Sequence, residues 1–151
     1  MTNTHPIFAM GQVLPATPQQ LWKAFTVAEE LQQWFAPQGV TMPRAKMDLR
    51  VGGTFWYEIK FPSGGAYGLW SFQEISEPNR LVVLFSSADA MGKVTPHPMR
   101  QNFPLYICAI FTFTPISPTE TKMETAMSPY QAEEAEINMF RDGLAHMKPS
   151  W

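Results

Sequence analysis

The sequence is poor in the groups on which much protein chemistry depends. Cys108 is the single cysteine among 151 residues, which excludes an intramolecular disulfide and a cysteine-based zinc site. Its apolar neighbours predict a buried, inert thiol rather than a nucleophile. Three histidines, His5, His97 and His146, are scattered without the His-x-x-x-His spacing of a zinc site. His97 stands between two prolines in a long loop and has no evident acidic partner, so an exposed residue is the expectation and a gate or base the alternative. There is no glycine-rich phosphate loop and no Gly-x-Ser-x-Gly elbow. No stretch approaches the roughly 20 apolar residues of a membrane span. Met1-Thr2-Asn3-Thr4-His5-Pro6 lacks the basic and apolar regions of a secretory signal. A formal charge of −2 offers no electrostatic reason to expect nucleic acid. The expectation is one soluble, cytoplasmic domain over residues 1–151, with no metal or cofactor.

Proline and methionine are abundant, at 14 and 10 residues. The prolines punctuate short elements, and the methionines predict an adaptable interior. Phe8–Leu14 reads as a first strand. Thr17-Pro18-Gln19-Gln20 then supplies a threonine cap, a proline at the first helical position and a glutamine at the third. Leu21, Trp22 and Phe25 form the apolar stripe of that helix. Thr26-Val27-Ala28-Glu29 reads as a second capping box, followed by Leu31, Trp34 and Phe35 at helical spacing. Strands are predicted near Val40–Leu49, Thr54–Phe61, Ala66–Ile75, Arg80–Ser87, Tyr106–Ile116 and Glu120–Met127, separated mostly by proline- and glycine-bearing turns. The longer loop from Ser87 to Leu105 is of the length that often carries function. Ser128-Pro129-Tyr130-Gln131 repeats the cap pattern. Ile137, Phe140, Leu144 and Met147 then predict a helix from about Gln131 to Lys148, roughly 27 Å long. This order predicts an α+β helix-grip: a curved antiparallel sheet wrapped around a long C-terminal helix, with two short helices after the first strand.

The stretch Met47-Asp48-Leu49-Arg50-Val51-Gly52-Gly53-Thr54-Phe55-Trp56-Tyr57-Glu58 carries the most information. The double glycine marks a tight turn or a close backbone approach. Asp48 and Arg50, two apart on a strand, share a face and can pair with other elements across it, and the expectation is a structural role, with Arg50 holding the turn. Binding of an anionic ligand group is the alternative. Alternation puts Phe55 and Tyr57, Trp70 and Phe72, Val83 and Phe85, Phe111 and Phe113, and Met123 on the concave face. Phe140 and Leu144 would close that face from the helix, with Trp34 and Phe35 at one mouth. Two readings stay open, a filled core or the lining of a pocket of ~300–1,000 Å³. Tyr57 is the most suggestive member, because a buried hydroxyl needs a partner. Glu58 and Glu74 fall on the opposite face and are expected to be solvated.

Four blocks carry a family resemblance: Leu21-Trp22-Lys23-Ala24-Phe25-Thr26, Leu31-Gln32-Gln33-Trp34-Phe35-Ala36-Pro37, Asp48-Leu49-Arg50-Val51-Gly52-Gly53 and Glu74-Ile75-Ser76-Glu77-Pro78-Asn79-Arg80-Leu81-Val82. In this order they resemble the bacterial proteins similar to the activator of the ninety-kilodalton heat-shock-protein ATPase, within the START-like (birch-pollen-allergen-like) superfamily. The resemblance implies a helix-grip with a cavity between sheet and final helix. Two departures stand out. Trp70 occupies a position where the family usually has a small residue, and it would take volume from the cavity. Met147-Lys148-Pro149-Ser150-Trp151 stands where the family continues for about three more helical turns of 3.6 residues. A shortened helix would leave apolar surface for a second copy of the chain to cover. The leading functional expectation is a non-enzymatic module that binds a small apolar or amphipathic molecule. The alternatives are a co-chaperone-like interaction protein and an enzyme resembling the superfamily's cyclases and aromatases.

Overall fold

The computed structural model of the protein describes residues 8–34, 39–96 and 104–132, together with 134 and 136. Their order is β1 (Phe8–Leu14), α1 (Pro18–Thr26), α2 (Ala28–Trp34), β2 (Thr41–Met47), β3 (Thr54–Phe61), β4 (Gly64–Ser76), β5 (Arg80–Ala88), β6 (Val94–Thr95), β7 (Tyr106–Ser117) and β8 (Glu120–Tyr130). The strands form one antiparallel sheet in the order β1-β8-β7-β5-β4-β3-β2, with the two-residue β6 paired to β5. β1 and β2 are therefore the two edges, although only the helical pair separates them in sequence. The curved antiparallel sheet and the two short helices after β1 agree with the predicted architecture. Apart from the helical Glu134 and Glu136, the predicted C-terminal helix lies outside the described residues.

The first helix forms as its cap predicts. The Thr17 hydroxyl accepts from the Gln20 amide at 3.1 Å, and the Gln20 side chain accepts from the Thr17 amide at 2.8 Å. The second capping box does not form. Thr26 is the last residue of α1, and its hydroxyl donates to the Trp22 carbonyl at 2.7 Å. The α2 ladder starts instead at Val27, whose carbonyl accepts from the Leu31 amide at 3.0 Å. Ser128-Pro129-Tyr130 is likewise no helix start. It continues β8, opposite Cys108, Ile107 and Tyr106. Local capping patterns cannot register a ladder partner twenty residues away, and here that partner prevails. The strand limits shift by up to three residues, and β6 was not predicted.

α1 lies on the concave face against β7. Phe25 sits 4.9 Å from Phe111 and 5.3 Å from Phe113, and Trp22 meets Phe113 edge-on at 6.5 Å. The Thr121 hydroxyl donates to the Ala16 carbonyl at 2.7 Å, which pins the entrance of α1 to β8.

The β2–β3 turn shows why two glycines are needed. Gly52 has φ +86°, a region that disfavours side chains. Gly53 has a different constraint, since a Cβ there would overlap the Asp48 carbonyl. The turn then docks on β4: the Gly52 amide donates to the Phe72 carbonyl and the Phe72 amide to the Gly53 carbonyl, both at 3.0 Å. Asp48 and Arg50 lie in the turn, beyond the end of β2, and do not pair across the sheet. Arg50 Nε donates to both Asp48 carboxylate oxygens, at 2.9 and 3.1 Å. Both side chains are exposed, so the pair contributes little beyond shaping the turn. Gly53→Ala is expected to cost about 1–3 kcal/mol of strain, read as a lowered urea midpoint with an unchanged slope. Gly52→Ala meets no neighbouring atom but places a side chain at φ +86°, and should also destabilise by about 1–3 kcal/mol.

Candidate functional site

Each core strand contributes its alternate side chains to one concave surface. Phe55, Trp70 and Phe85 face one another across β3, β4 and β5 by register. Their ring centroids are 5.1 Å apart for Phe55–Trp70 and 5.4 Å for Trp70–Phe85. Phe111 on β7 approaches Phe85 at 6.1 Å and Trp70 at 6.3 Å. Phe72, Val83, Phe113 and Met123 complete the same buried cluster with Leu21, Trp22, Phe25 and Leu31 from the helices. Nine of the predicted lining positions thus come together as expected, Tyr57 and Phe85 being packed against the cluster and partly exposed. The side chain of Trp34, and Phe35, Phe140 and Leu144 altogether, lie outside the described residues, as do all three histidines.

Besides Thr121, which is bonded to the Ala16 carbonyl, Tyr57 and Thr125 bring polar groups to this apolar surface. Tyr57 lies opposite Gly68 in the β3–β4 ladder, and its ring is laid across that glycine so closely that any Cβ would collide with the phenol. The residue as a whole is only half-buried, but its phenol is strongly desolvated. Burial pushes its pKa up to about 12, against a smaller lowering by the Trp70 side chain. At neutral pH Tyr57 is therefore a hydroxyl, fit to orient a ligand and unfit to act as a base. The second group is Thr125 on β8, 2 % exposed and opposite Phe111. Its hydroxyl makes no hydrogen bond among the described residues.

The opposite face corrects one expectation. Glu58 is not solvated: it is 8 % exposed and accepts from Arg44 Nε at 3.0 Å. Arg44, Glu58 and Tyr67 stand in one row across β2, β3 and β4. The Arg44 hydrogen bond and charge hold the Glu58 carboxyl below its ordinary range against the desolvation that would raise it, with smaller help from Lys60 and Tyr67. Glu74 remains half-exposed and pairs with Arg80 at 2.9 Å. Cys108 is half-buried rather than fully buried, and burial raises its thiol pKa, which keeps it unreactive. Among the described residues no cluster of three or more histidine, cysteine or acidic side chains stands ready for a metal, and no helix is long and apolar enough to cross a membrane.

Gly68 and Thr125 did not stand out in the sequence. Tyr57 signals the first only once the strands are paired, because a glycine opposite an aromatic is a cross-strand relation. Two measurements follow. A phenolate absorbance titration should show one of the four tyrosines ionising near 12, and Tyr57→Phe should remove that step. The raised pKa stabilises the fold fully below 10.0, the unperturbed value, and that stabilisation is lost as pH rises towards about 12. Thr125→Val, which removes an unpaired hydroxyl without changing shape, should leave stability unchanged or raise it by about 1 kcal/mol, read by thermal melting.

The comparisons with known proteins accord with this geometry. A protein from Arthrobacter aurescens superposes with TM-score 0.71 at 21% identity, covering 95% of this chain and 81% of its own. Protein Ms6760 from Mycobacterium smegmatis gives 0.69 at 21%, covering 91% and 80%. An HSP90 activator from Plasmodium falciparum gives 0.59 at 22%, covering 92% and 86%. At these identities the likeness is one of fold. No curated protein has a significant sequence match to the chain. The family model described as "Activator of Hsp90 ATPase homolog 1-like protein" matches residues 15–148, and the chain belongs to that family.

Proposed function

We propose that the protein binds a small apolar or amphipathic molecule against the concave face. The observation that carries this reading is the pair of buried hydroxyls, Tyr57 and Thr125, set into a surface otherwise made of aromatic and aliphatic side chains. The Thr125 hydroxyl, which makes no hydrogen bond among the described residues, costs about 1–3 kcal/mol in such surroundings, a cost that a ligand's polar atom would relieve, and the neutral Tyr57 phenol would orient that atom. The apolar body of the ligand would gain about 25 cal/mol per Å² of buried surface before association costs. Trp70 limits the available volume and so favours a slender or flat ligand.

A second reading draws on the family description and on the Plasmodium relative: an interaction protein for a chaperone ATPase. Leu49 and Val51, 38% and 62% exposed on the β2–β3 turn, would supply apolar contact. A chaperone ATPase assay with the purified protein separates the two readings, since only the second predicts stimulation.

Native mass spectrometry of the freshly purified protein is expected to show an adduct of small-molecule mass. Gly68→Ala, which forces the Tyr57 ring to move, should reduce its occupancy. Unliganded protein in both cases, with no shift in melting temperature across a panel of fatty acids and aromatic alcohols, would count decisively against the ligand-binding reading.

A further inference from the structure

A cleft of ≈ 810 Å³ opens at the β2 edge, walled mostly from the side of the sheet opposite the Tyr57 surface, with Gln32 of α2, Ala45 and Met47 also lining it. It is overhung by the β5–β6 hairpin, with Lys46, Trp56, Leu69 and Met91 among its walls. Lys46, Trp56 and Leu69 form one row across β2, β3 and β4, so their side chains share the face that the cleft occupies. Its volume lies within the ~300–1,000 Å³ of small-molecule sites.

The walls are held before any ligand arrives. The Trp56 indole N–H donates to the Asp89 carbonyl at 3.0 Å, its ring stacks on Tyr67 at 5.5 Å, and the Arg44 guanidinium stands 5.4 Å from the ring centre. The hairpin is equally fixed, because one Asp89 carboxylate oxygen accepts from the amides of Met91 and Lys93, both at 2.9 Å. Gly92 packs so near Trp56 that a Cβ would lie 3.8 Å from its ring. Leu69, 5% exposed, is the apolar floor, and Met91, 91% exposed, is an adaptable thioether at the rim.

The charges set the sign of the ligand. Each carboxylate nearby is already engaged: Asp48 by Arg50, Glu58 by Arg44, and Asp89 by the hairpin amides and the charge of Lys93. Arg44 is in turn neutralised by Glu58. Lys46 is exposed and enters no ion pair among the described residues. The cleft therefore carries one uncompensated positive charge beside an aromatic and aliphatic wall. We propose that it binds a small organic carboxylate, whose anionic group is held by Lys46 and whose apolar body lies against Trp56 and Leu69. This second site is independent of the concave one.

An amide-resolved NMR titration of the full chain with 2-naphthoate tests it. Saturable shifts are expected at residues 44–48, at Trp56 and at 90–92. Lys46→Gln, an exposed substitution that leaves the fold intact, should weaken binding about tenfold or more. Replacing the probe by the neutral 2-naphthalenemethanol should weaken it similarly, and Lys60→Gln, outside the cleft, should not. Absence of saturable shifts up to about 10 mM, shifts confined to the Tyr57 and Thr125 side of the sheet, or equal affinity in the wild type and Lys46→Gln would each overturn the proposal.

Discussion

Trp70 lies in the middle of the curved sheet, 1 % exposed, with Phe55 and Phe85 on the neighbouring strands at 5.1 and 5.4 Å. A buried indole of this kind removes 150–250 Å² from water, worth about 4–6 kcal/mol as an upper bound. Much of the concave face is arranged around it. Phe111 closes on it from β7, and Phe111 in turn receives Phe25 of α1 at 4.9 Å. Trp70 also shares this face with Tyr57, whose ring can lie flat because the facing residue is Gly68. The largest side chain of β4 and its smallest, two positions apart, are thus complementary: one fills the centre, and the other makes room for the hydroxyl beside it.

The same strands serve two faces with different physics. On the concave side, burial decides the chemistry, and a phenol is kept neutral by desolvation. On the other side, the row Arg44–Glu58–Tyr67 balances desolvation with charge-assisted hydrogen bonding, and the carboxylate is kept ionised. Period-2 alternation makes this division possible, since neighbours such as Tyr57 and Glu58 sit in opposite environments. Membership of the Hsp90-ATPase-activator-like family accounts for the scaffold. The two faces of this chain are where its particular chemistry lies.

The extent to which this was legible varies by element. The Thr17 capping box formed because all its partners lie within four residues. The one at Thr26 failed because the hydroxyl found the Trp22 carbonyl on its own helix first. Ser128–Tyr130 read as a helix start and became strand, because β7 offered a ladder that no local pattern reveals. The turn-holding role of Arg50 was legible from its place before the double glycine, but its partner was not: the chain has already turned, and Asp48 and Arg50 pair with each other rather than across the sheet. Glu58 was placed on the correct face with the wrong environment. Parity tells which side a residue occupies, but not whether an arginine and a tyrosine on adjacent strands cover it.

The sequence alone determined the order of the longer strands and the two short helices, the turn at Gly52-Gly53, the aromatic composition of the concave face and the family, because these rest on local spacing and on short motifs. Only the tertiary structure decided that Tyr57 faces Gly68, that Thr125 is buried without a partner among the described residues, and that Lys46, Trp56 and Leu69 align beneath a hairpin. Those relations depend on strand register and strand order. In this antiparallel sheet, register and order join residues as distant in sequence as Phe8 and Met127, through contacts that no single segment contains.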